Sequence, residues 1–190
     1  MKILALNASP HLHGNTRFLL DQVLEAAQAA GAETELLQVN PLKIRGCQGD
    51  YGCKASGRCV MQDDMQGVYD RIDQADAVVF GSPIYMWSIN AQLKTVLDRL
   101  FCYFNSDLTS RLPRGKRSAL LVAQNQPDGE KFRGGLDLTT GALELMGFEA
   151  VELLVAQGVG GMEDAAARPD LIHAARSLGE RLAVPPEAAG

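Results

Sequence analysis

The chain has 190 residues, 46% of them apolar and 22% charged, enough to bury the core of one domain. Its 18 basic residues against 23 acidic ones leave a net charge of −5, which argues against nucleic acid or an anionic membrane surface as the main partner. The longest apolar runs, such as Ala77–Phe80, fall far short of the ~20 residues that span a bilayer, and Met1–Leu6 is too brief for a signal-peptide core. The expectation is a cytoplasmic protein whose four cysteines sit in a reducing compartment, where metal or redox chemistry is favoured over disulfides.

In chain order, apolar spacing predicts a strand over Lys2–Leu6 and then a helix over Thr16–Ala30, with Phe18, Leu19, Val23 and Ala27 on one stripe and Gly31 as its stop. A second strand is predicted over Glu33–Gln38. Asn40–Asp64 breaks the rhythm: it has neither period and holds Gly46, Gly49, Gly52 and Gly57 with Cys47, Cys53 and Cys59. A structureless loop beyond about 12–15 residues is usually functional, and something must staple it. A third strand over Ala77–Phe80 leads through an apolar and aromatic loop, Gly81–Ser88, into a helix that starts around Ser88–Ala91 and carries Leu93, Val96, Leu97 and Leu100. Cys102, on that helix, is read as a core residue.

The basic group Arg111, Arg114, Lys116 and Arg117 is read as a solvated loop. Strands over Ser118–Ala123 and Ala150–Val155 follow, then a last helix with Leu171, Ile172, Ala175, Leu178 and Leu182 and with Pro169 near its first turn. Val184, Pro185, Pro186 and the small residues after them are expected to fray. The alternation predicts an α/β fold: a doubly wound, five-stranded parallel sheet in a three-layer α/β/α sandwich, one domain over 1–190 with a long Cys/Gly-rich loop at about 40–64.

In such a sheet ligands bind beyond the carboxyl ends of the strands. The first strand-to-helix loop offers hydroxyls at Ser9 and Thr16, the amide of Asn15, Pro10, His11, a flexible Gly14 and the free N–H groups of a helix start, which are the parts of an anion-binding nest. It holds no lysine or arginine, so a phosphate there relies on neutral donors; the plain alternative is an N-capped loop. Neither a G-x-G-x-x-G after the first strand nor a G-x-x-x-x-G-K-[ST] is present. The third loop gathers Ser82, Pro83, Ile84, Tyr85, Met86 and the single tryptophan, Trp87, a lining suited to a flat apolar ring, or else to packing under the cysteine loop or at a subunit contact. The fourth loop adds the amides of Gln124 and Asn125. No residue is singled out as catalytic.

The ordered combination of Asn7-Ala8-Ser9-Pro10, Gly14-Asn15-Thr16, Cys59-Val60 before Asp63-Asp64-Met65, Gly81-Ser82-Pro83-Ile84-Tyr85 and Ala91-Gln92-Leu93-Lys94 to Asp98-Arg99 resembles the NADPH-dependent FMN reductase family, closest to its iron–sulfur flavoprotein branch. The resemblance implies a flavodoxin-like fold, FMN phosphate in the first loop, the isoalloxazine against Pro83–Trp87 and the Gln124 loop, NADPH or NADH as co-substrate, and a homodimer or homotetramer. The implied function is electron passage from a reduced nicotinamide through FMN to a small-molecule acceptor such as a quinone or flavin. The alternatives are an iron–sulfur flavoprotein-type electron carrier and a non-catalytic flavin redox sensor. His11 stands where a basic residue often follows Ser-Pro, and Ala123-Gln124-Asn125 where the family often has Thr-Gln-Gly.

Cluster-binding members carry Cys-x2-Cys-x2-Cys-x5-Cys; this chain reads Cys47-x2-Asp50-x2-Cys53-x5-Cys59, with a carboxylate in the second place. Thiolates are the usual iron–sulfur ligands, and a harder oxygen gives a more labile cluster. No metal is the first expectation, with an iron–sulfur cluster the second and a zinc ion held by the three thiolates and Asp50 the third.

Overall fold

A computed structural model describes residues 1–185, so the tail expected from Pro186 onward lies outside the described residues. The elements are β1 (Lys2–Asn7), α1 (Asn15–Ala29), β2 (Glu33–Gln38), α2 (Cys53–Ser56), α3 (Met65–Gln74), β3 (Ala77–Tyr85), β4 (Ser88–Ile89), α4 (Ala91–Arg99), β5 (Arg117–Ala123), α5 (Arg133–Met146), β6 (Glu149–Ala156) and α6 (Pro169–Ala183). Short 3-10 turns occupy Leu100–Tyr103 and Asp164–Ala167.

Five strands pair in parallel in the order β2-β1-β3-β5-β6. The order reverses at β1 and β3, the switch point at which open α/β sheets bind ligands. Strand periodicity sorts the core into two layers. Ile3 and Ala5 of β1 face α1 and α6 with Leu19, Val23, Leu171 and Leu178, whereas Leu4 and Leu6 join Val68, Ile72, Leu93, Val96 and Leu143 of α3, α4 and α5. Strands buried on both faces, such as Ala77–Phe80, read as unbroken apolar runs for this reason. The two helices of the first layer touch closely enough that a Cβ on Gly179 would collide with the Val23 carbonyl.

Two expectations are corrected. The third strand does not stop at Phe80: it continues to Tyr85 and folds back on β4 as an antiparallel hairpin, making a six-stranded sheet with five parallel strands. The hairpin turn is Met86-Trp87, with φ of 46° and 68°, the left-handed pair a two-residue turn requires and which Asn-Gly usually supplies. The basic group before β5 is solvated only in part: Arg114 is exposed, but Arg111 and Arg117 are half-buried. Lys116 is buried, and its Nζ donates to the carbonyls of Ile72, Asp73 and Ala75 at the end of α3. Burial lowers its pKa against the opposing pull of Asp73 and Asp76. Arg117 in turn donates to the carbonyls of Leu182 and Val184, tying the end of α6 to the sheet.

Candidate functional site

A cavity of about 390 Å³ opens beyond the carboxyl ends of β1, β3 and β5, within the range of small-molecule sites. Its floor is the turn from β1 into α1. Asn7, buried, accepts from the Ser9 N–H at 3.1 Å and donates to Gln38 Oε1 at 2.7 Å, while Gln38 Nε2 donates to the Ser9 carbonyl at 2.6 Å. The Ser9 hydroxyl accepts the His11 N–H at 3.1 Å, which leaves its proton for a ligand. The α1 helix starts at Gly14 with no side-chain cap, so its first-turn N–H groups and dipole face the cavity edge where Ser9, Gly14 and Thr16 stand.

The wall on the β3 side is fixed by Asn90, the N-cap of α4. It accepts the Leu93 N–H at 3.1 Å and donates to the Ala8 carbonyl at 2.7 Å, and its Oδ1 accepts the Ser82 hydroxyl at 3.1 Å. This buried set holds the β1 and β3 ends together and leaves Pro83, Ile84 and Tyr85 lining the cavity. Gly81 lets the β3 backbone press on α1, because a Cβ there would stand 2.5 Å from Leu20. Opposite, Gln124 donates to the Asp128 carbonyl at 2.7 Å, and its Oε1 is buried without a hydrogen-bond partner among the described residues. An unsatisfied buried acceptor costs about 1–3 kcal/mol, so a donor from outside the chain would stabilise this one.

Of the residues expected at the site, Ser9, His11, Gly14, Asn15, Thr16, Pro83, Ile84, Tyr85, Gln124 and Asn125 line this one cavity. Pro10 and Ser82 do not line it; Ser82, buried, acts through Asn90. Met86 and Trp87 do not line it: they sit on the hairpin turn, 86% and 67% exposed, and Trp87 packs edge-on to Phe132 with ring centroids 6.3 Å apart. Asn15 is spent on structure, donating to the Gly161 carbonyl at 2.6 Å and accepting the Ala165 N–H at 2.9 Å. It thereby draws in a wall not anticipated from the sequence, Val159, Gly160, Gly161 and Met162, whose one hint was the glycine pair after β6. Among the described residues no lysine, arginine, aspartate or glutamate lines the cavity.

The cysteine loop is built by contrast from charges. Arg99, 1% exposed at the end of α4, pairs with Asp63 through two hydrogen bonds of 2.7 and 3.0 Å and donates to the Arg45 carbonyl at 2.8 Å. Burial would raise the Asp63 carboxyl, but hydrogen bonds from Arg99 and the Arg45 N–H hold it below the usual 3.8. Lys54 donates to the carbonyls of Phe101 and Phe104 and lies 3.4 Å from the Phe101 ring centre, and Arg111 donates to the carbonyl of Lys54 at 2.7 Å. These are the staples the loop requires. All four cysteines are free thiols; burial pushes Cys53 up and Cys102 up to about 11.

The chain is 36% identical over 103 residues to an iron-sulfur flavoprotein of Archaeoglobus fulgidus, a match covering 54% of this chain and 47% of that one. It is 37% identical over 100 residues to one of Methanocaldococcus jannaschii, covering 52% and 50%. The match thus spans about half the length of these curated relatives. Among solved structures it is similar to an NAD(P)H:quinone oxidoreductase from Methanothermobacter marburgensis (TM-score 0.77, 20% identity, 96% of each chain). It is also similar to an FMN-dependent NADH-azoreductase from Bacillus anthracis in complex with FMN (TM-score 0.72, 15% identity, 97% and 100% covered). These two likenesses establish the flavodoxin-like fold. The model of the NADPH-dependent FMN reductase family matches residues 1–129, about two thirds of the chain, and the chain belongs to that family.

Proposed function

We propose that the chain is one FMN-binding domain that works as an NAD(P)H-dependent oxidoreductase, passing electrons from reduced nicotinamide to an acceptor such as a quinone or a flavin. The observation that carries this reading is the pairing, across one cavity, of an uncapped helix start with the buried, unpartnered Oε1 of Gln124. The first suits a phosphate and the second suits the imide N–H of a flavin ring. FMN, when bound, supplies the two-electron chemistry. The first-turn N–H groups of α1 with the Ser9 and Thr16 hydroxyls hold the phosphate, each hydrogen bond to the charged group contributing about 1.5–3 kcal/mol. Pro83, Ile84 and Tyr85 flank the ring, and Asn15 positions the Val159–Met162 wall against it.

Exposed Tyr85, Met86, Trp87 and Met162 form an apolar rim beside the mouth, suited to seat a nicotinamide, a flat acceptor or a second copy of this chain. A homodimer or homotetramer is proposed on this ground, and a cytoplasmic location on the four free thiols. Among the described residues no helix is long and apolar enough to cross a membrane. Anaerobic mixing of FMN-loaded protein with NADH or NADPH and a quinone tests the activity. Quinone-dependent oxidation of one nicotinamide supports the reading, and no turnover with either nicotinamide and any of a quinone, FMN or a nitroaromatic overturns it.

A further inference from the structure

Cys47, Cys53, Cys59 and Cys102 line one small cavity together with Arg99. The four thiols come from three pieces of chain, the exposed loop before α2, the α2 segment with its exit, and the 3-10 turn after α4. The set does not fit an iron–sulfur cluster. The enclosed space is about 20 Å³, room for a single water. Among the described residues no three histidine, cysteine, aspartate or glutamate side chains stand close enough to hold one metal ion. Asp50, in the second place of the motif, is spent on its own turn, its Oδ1 accepting the Gly52 N–H at 3.0 Å. The staple that a cluster would give the loop is supplied instead by the Arg99–Asp63 pair with Lys54 and Arg111. A disulfide needs no such space, because it adds no atom and removes two hydrogens.

Burial sorts the four thiols. Cys47 is exposed and open to a reagent from solution, Cys59 is half-buried, and Cys53 and Cys102 are buried. Cys53 has Cys47 and Cys59 as neighbours, since the charge of either would oppose its ionisation, while the charge of Lys54 favours it, the electropositive setting of a reactive thiol. Residues 46–52, which carry Cys47, lie outside any helix or strand. Gly49 and Tyr51, at φ of 65° and 57°, keep this segment from running extended. A Cβ on Gly46 or Gly49 would meet nothing within 4 Å, so the segment has space to bring Cys47 to the geometry a disulfide demands. We propose that Cys47 and Cys53 are a redox modification site that closes reversibly into a disulfide by exchange with a small-molecule disulfide. Cys47 attacks that disulfide, forms a mixed disulfide and passes its proton to the first departing thiolate. The Cys53 sulfur then attacks Cys47 Sγ, and its proton leaves with the second thiolate. Two protein thiols are oxidised and one small disulfide is reduced to two thiols. This proposal does not depend on the flavin reading.

The test is incubation of the full chain, isolated without oxygen, in mixtures of oxidised and reduced glutathione, followed by acid quenching, unfolding, alkylation and cleavage after lysine and arginine. Cys47 and Cys53 then fall in one peptide, residues 46–54, apart from Cys59 and Cys102. That peptide is expected two hydrogens lighter and without alkyl groups, with dithiothreitol restoring both thiols, while Cys59 and Cys102 are alkylated throughout. The bond should form at a lower proportion of oxidised glutathione in the folded chain than in urea, because the fold already gathers the pair. Cys53→Ser should stop at a glutathione adduct on Cys47, and Cys47→Ser should leave Cys53 free, with circular dichroism checking that each is folded. The wild-type comparison decides even where a variant does not fold. A bond that forms no more readily in the folded chain than in urea, a bond to Cys59 or Cys102, or no loss of thiols at any ratio overturns the proposal. So does stoichiometric iron with acid-labile sulfide in the protein as isolated.

Discussion

Two cavities of this molecule, one at the β1 and β3 ends and a small one lined by Cys47, Cys53, Cys59 and Cys102, are made from opposite materials. Among the described residues the cavity at the β1 and β3 ends has no lysine, arginine, aspartate or glutamate in its lining, and it owes its shape to strand ends and amides such as Asn7, Asn15 and Asn90. The cysteine cavity is walled partly by a long loop and held by the buried Arg99–Asp63 pair with Lys54 and Arg111. Rigid strand ends position a ligand without charge, because the sheet already fixes the backbone. A loop outside the sheet needs strong directional links to reach comparable order, and those links bring sensitivity to mutation and acid.

The largest expected effect attacks the staple. Arg99→Met leaves the Asp63 carboxylate buried without its cation, held only by the Arg45 and Met65 N–H groups, and should destabilise the fold by about 3–5 kcal/mol in urea unfolding. Adding Asp63→Leu should recover part of that loss; no recovery would mean that Arg99 acts through packing alone. Next, Ser9→Asp should weaken FMN binding by about 1.5–3 kcal/mol in a fluorescence titration through repulsion of the phosphate, while riboflavin, which has no phosphate, should lose less. An equal loss for both flavins would count against a phosphate at Ser9.

Acid sharpens the same contrast. The Asp63 carboxyl is held below its unfolded value of 3.8, so its contribution to stability is present above that pH and is lost as pH falls through the lowered folded value. Amide hydrogen exchange of the loop, corrected for its intrinsic acid dependence, should therefore rise as pH falls below 3.8, and Asp63→Asn should flatten that rise. The smallest effect belongs to Trp87→Ala, which should change stability by no more than about 0.5 kcal/mol because the ring is mostly exposed, yet reduce self-association in sedimentation.

Much of this was legible from residue types alone. Unbroken runs such as Ala77–Phe80 and the stripe of α1 mark buried strands and an amphipathic helix whatever surrounds them. The parallel sheet follows from their alternation. The hairpin at Met86-Trp87 was not legible, since neither residue type favours positive φ, and the turn exists because β3 outruns its parallel neighbours and folds back on β4. Lys116 reads as solvated by composition and is buried by three carbonyls that only the end of α3 supplies. Cys102 and the Val159–Met162 wall lie far along the chain from the motifs they join, so spacing carries no trace of them.

The most direct measurement is titration of flavin-free protein with FMN and, separately, with riboflavin, following quenching of flavin fluorescence. FMN should bind at one equivalent per chain and more tightly than riboflavin, with Ser9→Asp bringing the two affinities together. Equal affinity for FMN and riboflavin in the wild-type protein, or no quenching by either, would contradict a phosphate held by the uncharged start of α1.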